Sequence, residues 1–85
     1  MTDRPAKVAD LELSQVDDGY LVYHSARERV HYLNHTAALV LEFCTGENGV
    51  EEIVAIMARA YDLSEPPTEE IAGCVEHLRT EGLVA

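Results

Sequence analysis

The sequence predicts an α+β domain, a three-stranded antiparallel sheet followed by three helices, on three observations. Between residues 8 and 33 lie three short runs of alternating or β-branched and aromatic residues, joined by Asp17-Asp18-Gly19 and by Ser25-Ala26-Arg27-Glu28. Short strands joined by short turns make an antiparallel meander. Residues 37 to 44 are apolar except for Glu42, so they predict a helix wrapped by other elements rather than one lying on the surface. Two later stretches then repeat apolar residues at helical spacing, each with a pair of glutamates in its first turn, where the helix dipole favours anions.

Taken in order, residues 1–7 are polar around Pro5 and are expected to fray. From Val8 to Val16, Leu11, Leu13 and Val16 alternate with Asp10, Glu12 and Gln15, the pattern of a half-buried strand. Asp17-Asp18-Gly19 is a hairpin signal, because the tight turn favours Gly where φ is positive. Tyr20 to His24 is the second strand and Arg29 to Leu33 the third. Asn34 and Thr36 are both suited to cap the helix that follows, since either side chain can accept from unpaired backbone N–H groups. That helix is expected to stop at Gly46, a left-handed cap.

The second helix is expected over Val50 to Tyr61, with Val50, Ile53, Val54, Met57 and Tyr61 on its apolar face. Ser64-Glu65-Pro66-Pro67 ends it, because paired prolines cannot continue a helix. A third begins near Pro67 or Thr68, with Ile71, Cys74, Val75 and Leu78 as its stripe. Gly82 followed by Leu83 and Val84 predicts a Schellman ending, with an apolar residue folding back onto the helix.

Length and charge bound the function. The 85 residues, 47% of them hydrophobic, make one domain over 1–85 with one modest core. No apolar run can span a bilayer, and no signal-peptide core follows the N-terminus, so a cytoplasmic location is expected. A net charge of −10 argues against nucleic acid and anionic membranes, which need Lys and Arg to neutralise phosphate. Cys44 and Cys74 fall on apolar helix faces without metal-type spacing, and are read as buried free thiols.

Candidate chemistry is sparse. His24, His31 and His35 suggest a metal only superficially: His31 and His35 straddle a strand–helix junction, and no carboxylate or thiolate joins them at ligand spacing. No metal or other cofactor is expected. There is no nucleophile–base pair, phosphate loop or paired-carboxylate motif, so no enzyme is expected, and the many carboxylates are read as a solvated face.

What remains is a binding surface. A three-stranded sheet has two edges of unpaired backbone groups, and an edge is either blunted or used to accept another strand. The third strand is the candidate. Val30, Tyr32 and Leu33 can pack an incoming chain, while Arg29 and His31 can act as gatekeepers. The residues alone leave open whether this strand receives a ligand or only packs the sheet onto the helices.

A resemblance decides between them. Leu33-Asn34-x-Thr36-Ala37-Ala38, the short apolar helix, Val50-Glu51-Glu52-Ile53, the Ala-Tyr near a helix end and the final Leu78-x-x-Glu81-Gly82-Leu83-Val84 are similar to the PqqD family over nearly the whole chain. Ala38 stands where that family often has Gly, and Gly49 where a Thr or Ser cap is common. The resemblance implies a winged-helix-like fold that recognises precursors of ribosomally made, post-translationally modified peptides. It implies a leader segment added as a strand between the third strand and the third helix. The domain then hands the precursor to a modifying enzyme such as a radical S-adenosylmethionine protein, a protease or a cyclase. On that reading, Arg29, Val30, His31, Tyr32 and Leu33 supply the ladder, and Ala72, Val75, Glu76 and Arg79 line the opposite wall.

Two alternatives belong to other classes. A winged-helix DNA-binding regulator would read DNA with its third helix, but Glu69, Glu70, Glu76 and Glu81 outnumber Arg79 there, which repels a polyanion. A regulatory subunit that binds a partner but no leader peptide is the other. The same strand edge could also pair with a second copy to give a homodimer.

Overall fold

The computed structural model describes residues 4–85. The elements run β1 (Leu11–Val16), β2 (Gly19–His24), a 3-10 turn (Ser25–Arg27), β3 (Arg29–Asn34), α1 (His35–Phe43), α2 (Val50–Ala60) and α3 (Thr68–Thr80). The sheet is antiparallel in the order β1-β2-β3, so the expected order of three strands and then three helices is what forms.

The β1 strand starts at Leu11, not Val8, because Asp10 takes a positive φ of 65° and breaks the extended run. The first hairpin differs in mechanism from the sequence reading. Val16 pairs with Gly19 around a two-residue Asp17-Asp18 loop, and none of the three takes a positive φ. Gly19 is required for space instead. A Cβ there would run into the Leu33 carbonyl oxygen and lie 2.9 Å from the Tyr32 hydroxyl.

At the β3–α1 junction Asn34 is the cap, its Oδ1 accepting from the Ala37 N–H at 2.8 Å. Helix α1 is central, touching β2, β3, α2 and α3 and burying Ala38, Val40 and Leu41. It ends at a Cys44 cap. Gly46, with φ of 87°, lies two residues further on and donates to the Pro5 carbonyl at 3.0 Å.

Helix α2 opens with the Glu52 carboxylate accepting from the Gly49 N–H at 2.9 Å, which replaces the side-chain cap that glycine lacks. It ends one residue earlier than expected and before the prolines. Asp62 takes φ of 52°, and the Leu63 N–H reaches back to the Ala58 carbonyl at 2.9 Å, a Schellman closure with Asp in the left-handed position. Tyr61, expected on the apolar face, is 47% exposed. Helix α3 ends as its sequence predicts: Gly82 has φ of 81°, the Leu83 N–H bonds the Leu78 carbonyl at 2.9 Å, and Leu83 is fully buried. Full burial of such a side chain contributes about 1.5–3 kcal/mol.

Fraying of residues 1–7 is not what Pro5 to Lys7 do; residues 1–3 lie outside the described residues. The Lys7 N–H bonds the Cys44 carbonyl at 2.8 Å, the Val8 N–H bonds the Leu83 carbonyl at 3.0 Å, and the Ala85 N–H bonds the Ala6 carbonyl at 2.8 Å. Pro5 is fully buried. The N-terminal segment is thereby stitched between the end of α1 and the C-terminal tail. Among the described residues, the N-terminal segment from Pro5 and the C-terminal tail are engaged with each other, and neither forms a backbone hydrogen bond to β3.

Candidate functional site

The hairpin sets which backbone groups of β3 are vacant. A two-residue loop closes on a hydrogen-bonded pair, here Val16 and Gly19. Pairs then alternate, so Gly19, Leu21 and Tyr23 bond β1, while Tyr20, Val22 and His24 turn toward β3. Their partners there are Leu33, His31 and Arg29. Val30 and Tyr32 are left with N–H and C=O groups aimed away from the sheet. Among the described residues, no other segment forms a backbone hydrogen bond to them.

Side chains follow the same alternation. Leu33 is buried at 4% exposure, whereas Val30 and Tyr32 are 62% and 52% exposed on the outer face. They sit opposite Tyr23 and Leu21, themselves partly exposed. Of the strand residues expected to pack a ligand, Val30 and Tyr32 are therefore available and Arg29 is exposed. Leu33 offers neither side chain nor backbone, because its side chain is core and its backbone groups, like those of Arg29 and His31, turn toward β2. Of the five residues expected to supply the ladder, only Val30 and Tyr32 keep free groups.

Helix α3 meets β3 through Glu81. His31 Nδ1 lies 3.2 Å from Glu81 Oε2, and Glu81 Oε1 lies 3.8 Å from His77 Nε2. At 100° per residue, the flank carrying Glu81 also carries His77, Cys74 and Glu70. Ala72, Glu76 and Arg79 lie on the other side of the buried stripe. Arg79 there bonds Glu76 Oε1 at 2.8 Å and the Ala85 carbonyl at 3.4 Å. Val75 is fully buried within the stripe and has no surface to offer. Helical spacing put Ala72, Glu76 and Arg79 on one strip correctly; the neighbour that strip meets is the C-terminal tail.

His31 is the hinge of this arrangement. Its side chain is 10% exposed, and with Nδ1 engaged by Glu81 its Nε2 is buried without a partner, as is Nδ1 of the buried His24. Two underused imidazole nitrogens thus lie on the inner face of the sheet, near where β3 passes the end of α3.

Beyond the other end of β3, Thr36, Met57, Tyr61, Leu63, Pro67, Glu70 and Ile71 line an open, mostly apolar hollow of about 400 Å³. It sits where the vacant edge runs out toward the start of α3. Sequence reasoning missed it, although Tyr61 and Leu63 are two large apolar residues close together in a connection that is exposed. Glu70, on the same flank of α3 as Glu81, is one of the residues lining this hollow.

Both cysteines are free. Burial pushes the Cys44 thiol up from 9.0 to about 11, and burial also raises the Cys74 thiol. Neither is a nucleophile at neutral pH. Among the described residues, no helix is long and apolar enough to cross a membrane, and no group of three or more His, Cys, Asp or Glu is placed to hold a metal.

The family described as Coenzyme PQQ synthesis protein D (PqqD) matches residues 19–84, from the start of β2 to the C-terminal tail. A solved structure described as lasso peptide synthetase B1 complexed with the leader peptide is similar in fold. It has a TM-score of 0.76 at 19% identity and covers 98% of this chain and 99% of that one. No curated protein matches the chain.

Proposed function

This chain belongs to the PqqD family, and we propose that it binds the leader segment of a ribosomally made precursor peptide as a fourth strand on β3. The observation that carries the proposal is the vacancy of the Val30 and Tyr32 backbone groups beside α3. Strand addition draws affinity from main-chain bonds and specificity from pockets for alternate side chains. Here the edge supplies the first, and the Tyr61–Leu63–Pro67 hollow supplies a place for an apolar side chain at one end. The leader peptide bound in the structure of similar fold supports this reading. The other edge, β1, exposes the polar Glu12, Ser14 and Gln15, where β3 exposes Val30 and Tyr32.

In this reading the domain is non-catalytic and cytoplasmic, and it presents the precursor to a modifying enzyme such as a radical S-adenosylmethionine protein, a protease or a cyclase. The wall of the groove consists of Cys74, His77 and Glu81 opposite Arg29 to Leu33. A DNA-reading role gains no support, because Glu69, Glu70 and Glu76 are exposed along α3 and would face a polyanion.

The test is titration of the isotope-labelled chain with the precursor encoded beside it. Amide shifts concentrated in residues 29–34, 61–70 and 74–81 are expected. Absence of binding at hundreds of micromolar to every neighbouring precursor would overturn the proposal. A homodimer through β3 would show as peptide binding that weakens as protein concentration rises.

A further inference from the structure

A second hollow, of about 240 Å³, lies on the other side of Tyr61 and is lined by Leu13, Tyr20, His35, Ala38, Leu39, Glu42 and Tyr61. Its walls are aromatic. Tyr20 and His35 meet edge to face with centroids 5.8 Å apart and ring planes at 84°, forming a corner, and Tyr61 stands across from it. Leu13 and Leu39 supply an apolar floor. Glu42 is exposed and is the hollow's one carboxylate, two helical turns beyond His35 on the same face of α1.

We propose that this hollow binds a lysine or arginine side chain of the precursor peptide, from the part of that peptide running past the end of β3. The inference rests on the strand-addition reading for the identity of the ligand, but the site's chemistry stands on its own. Aromatic faces attract cations through their quadrupole, an apolar floor suits a methylene stem, and a carboxylate at the rim completes the recognition. Among the described residues, Glu42 has no ion-pair or hydrogen-bond partner. The chain itself has 6 Lys and Arg against 16 Asp and Glu, so a matching cation comes most readily from a partner. An anion would meet Glu42 unfavourably. A purely apolar group would cover the carboxylate without pairing it, which costs free energy. One carboxylate and one imidazole are too few ligands for a metal.

Tyr61 joins the two hollows, since its ring lines both. Just past Asn34, His35 lines the carboxylate-bearing hollow and Thr36 the apolar one, so both hollows open beside the end of β3.

The test uses N-acetyl-lysine-N-methylamide and its uncharged norleucine counterpart as probes, with amide shifts of the full chain as readout. Saturable, millimolar binding of the lysine probe is expected at Tyr20, Leu39, Glu42 and Tyr61, severalfold weaker for norleucine and for Glu42→Gln. Glu42 is exposed, so that variant keeps its fold. No saturable shift at tens of millimolar, or an equal response to both probes, overturns the inference. Because the probe has no strand to add, its outcome is independent of precursor binding at β3, and either reading can fail while the other stands.

Discussion

The Tyr32 hydroxyl donates to the Asp18 carbonyl at 2.8 Å, reaching from the edge strand over Gly19 to the first hairpin loop. This contact ties the exposed face of β3 to the turn between β1 and β2. It also explains why position 19 carries no side chain. Partial desolvation, helped by the neighbouring Asp18, raises the Tyr32 phenol above its ordinary value, so it remains a donor throughout the neutral range.

Replacing Gly19 with Ala should destabilise the chain by about 1–3 kcal/mol, the usual cost of overpacking, because the obstructing atom is the Leu33 backbone oxygen and cannot swing aside. Tyr32→Phe should cost about 1 kcal/mol or less. Urea titration followed by circular dichroism checks both. A neutral Gly19→Ala would mean that β2 and β3 do not approach as closely as described.

Proline scanning of β3 should separate folding from binding. The Val30 N–H points off the sheet, so Val30→Pro should cost stability on the order of 1 kcal/mol, as proline is tolerated on edges. It should still weaken precursor binding by about tenfold or more. The His31 N–H bonds Val22, so His31→Pro should remove about 3 kcal/mol of stability. Thermal melts together with peptide titration distinguish the two; equal stability losses would contradict the alternation derived from the hairpin.

The flank of α3 is open to a direct comparison. His77→Ala and Glu81→Ala should each change precursor affinity by about three- to tenfold, while Glu76→Ala and Arg79→Ala should leave it nearly unchanged. Isothermal titration of the four variants decides, and the reverse ranking would restore the strip read from helical spacing alone.

Alkaline pH should destabilise the fold. The Cys44 thiol is raised by burial to about 11, so above pH 9 the unfolded chain releases a proton that the folded chain retains. Stability is therefore fully present below the unfolded value and is lost as pH rises toward 11. The loss is on the order of 2 kcal/mol. Urea midpoints at pH 8 and near pH 11 should show it, and Cys44→Ala should flatten the dependence. An unchanged slope in that variant would place the effect elsewhere.

The amino-acid sequence by itself determined the strand and helix order and the Schellman ending at Gly82, and it narrowed the first helix's cap to Asn34 or Thr36. Each of these is set by residues within one or two turns of one another, where periodicity and capping chemistry act directly. The family junction at Leu33-Asn34-x-Thr36-Ala37 was equally local. Only the tertiary structure decided that Asn34 rather than Thr36 caps α1, that the N-terminal segment is clamped by the tail, that Gly19 serves clearance rather than a left-handed turn, and that His31 of β3 meets Glu81 while Arg79 meets Glu76 and the tail. Those outcomes depend on how the sheet and helices settle against one another around the shared core. A helix declares its buried stripe through spacing, but both flanks of that stripe look alike until a neighbour such as His31 comes to rest beside one of them.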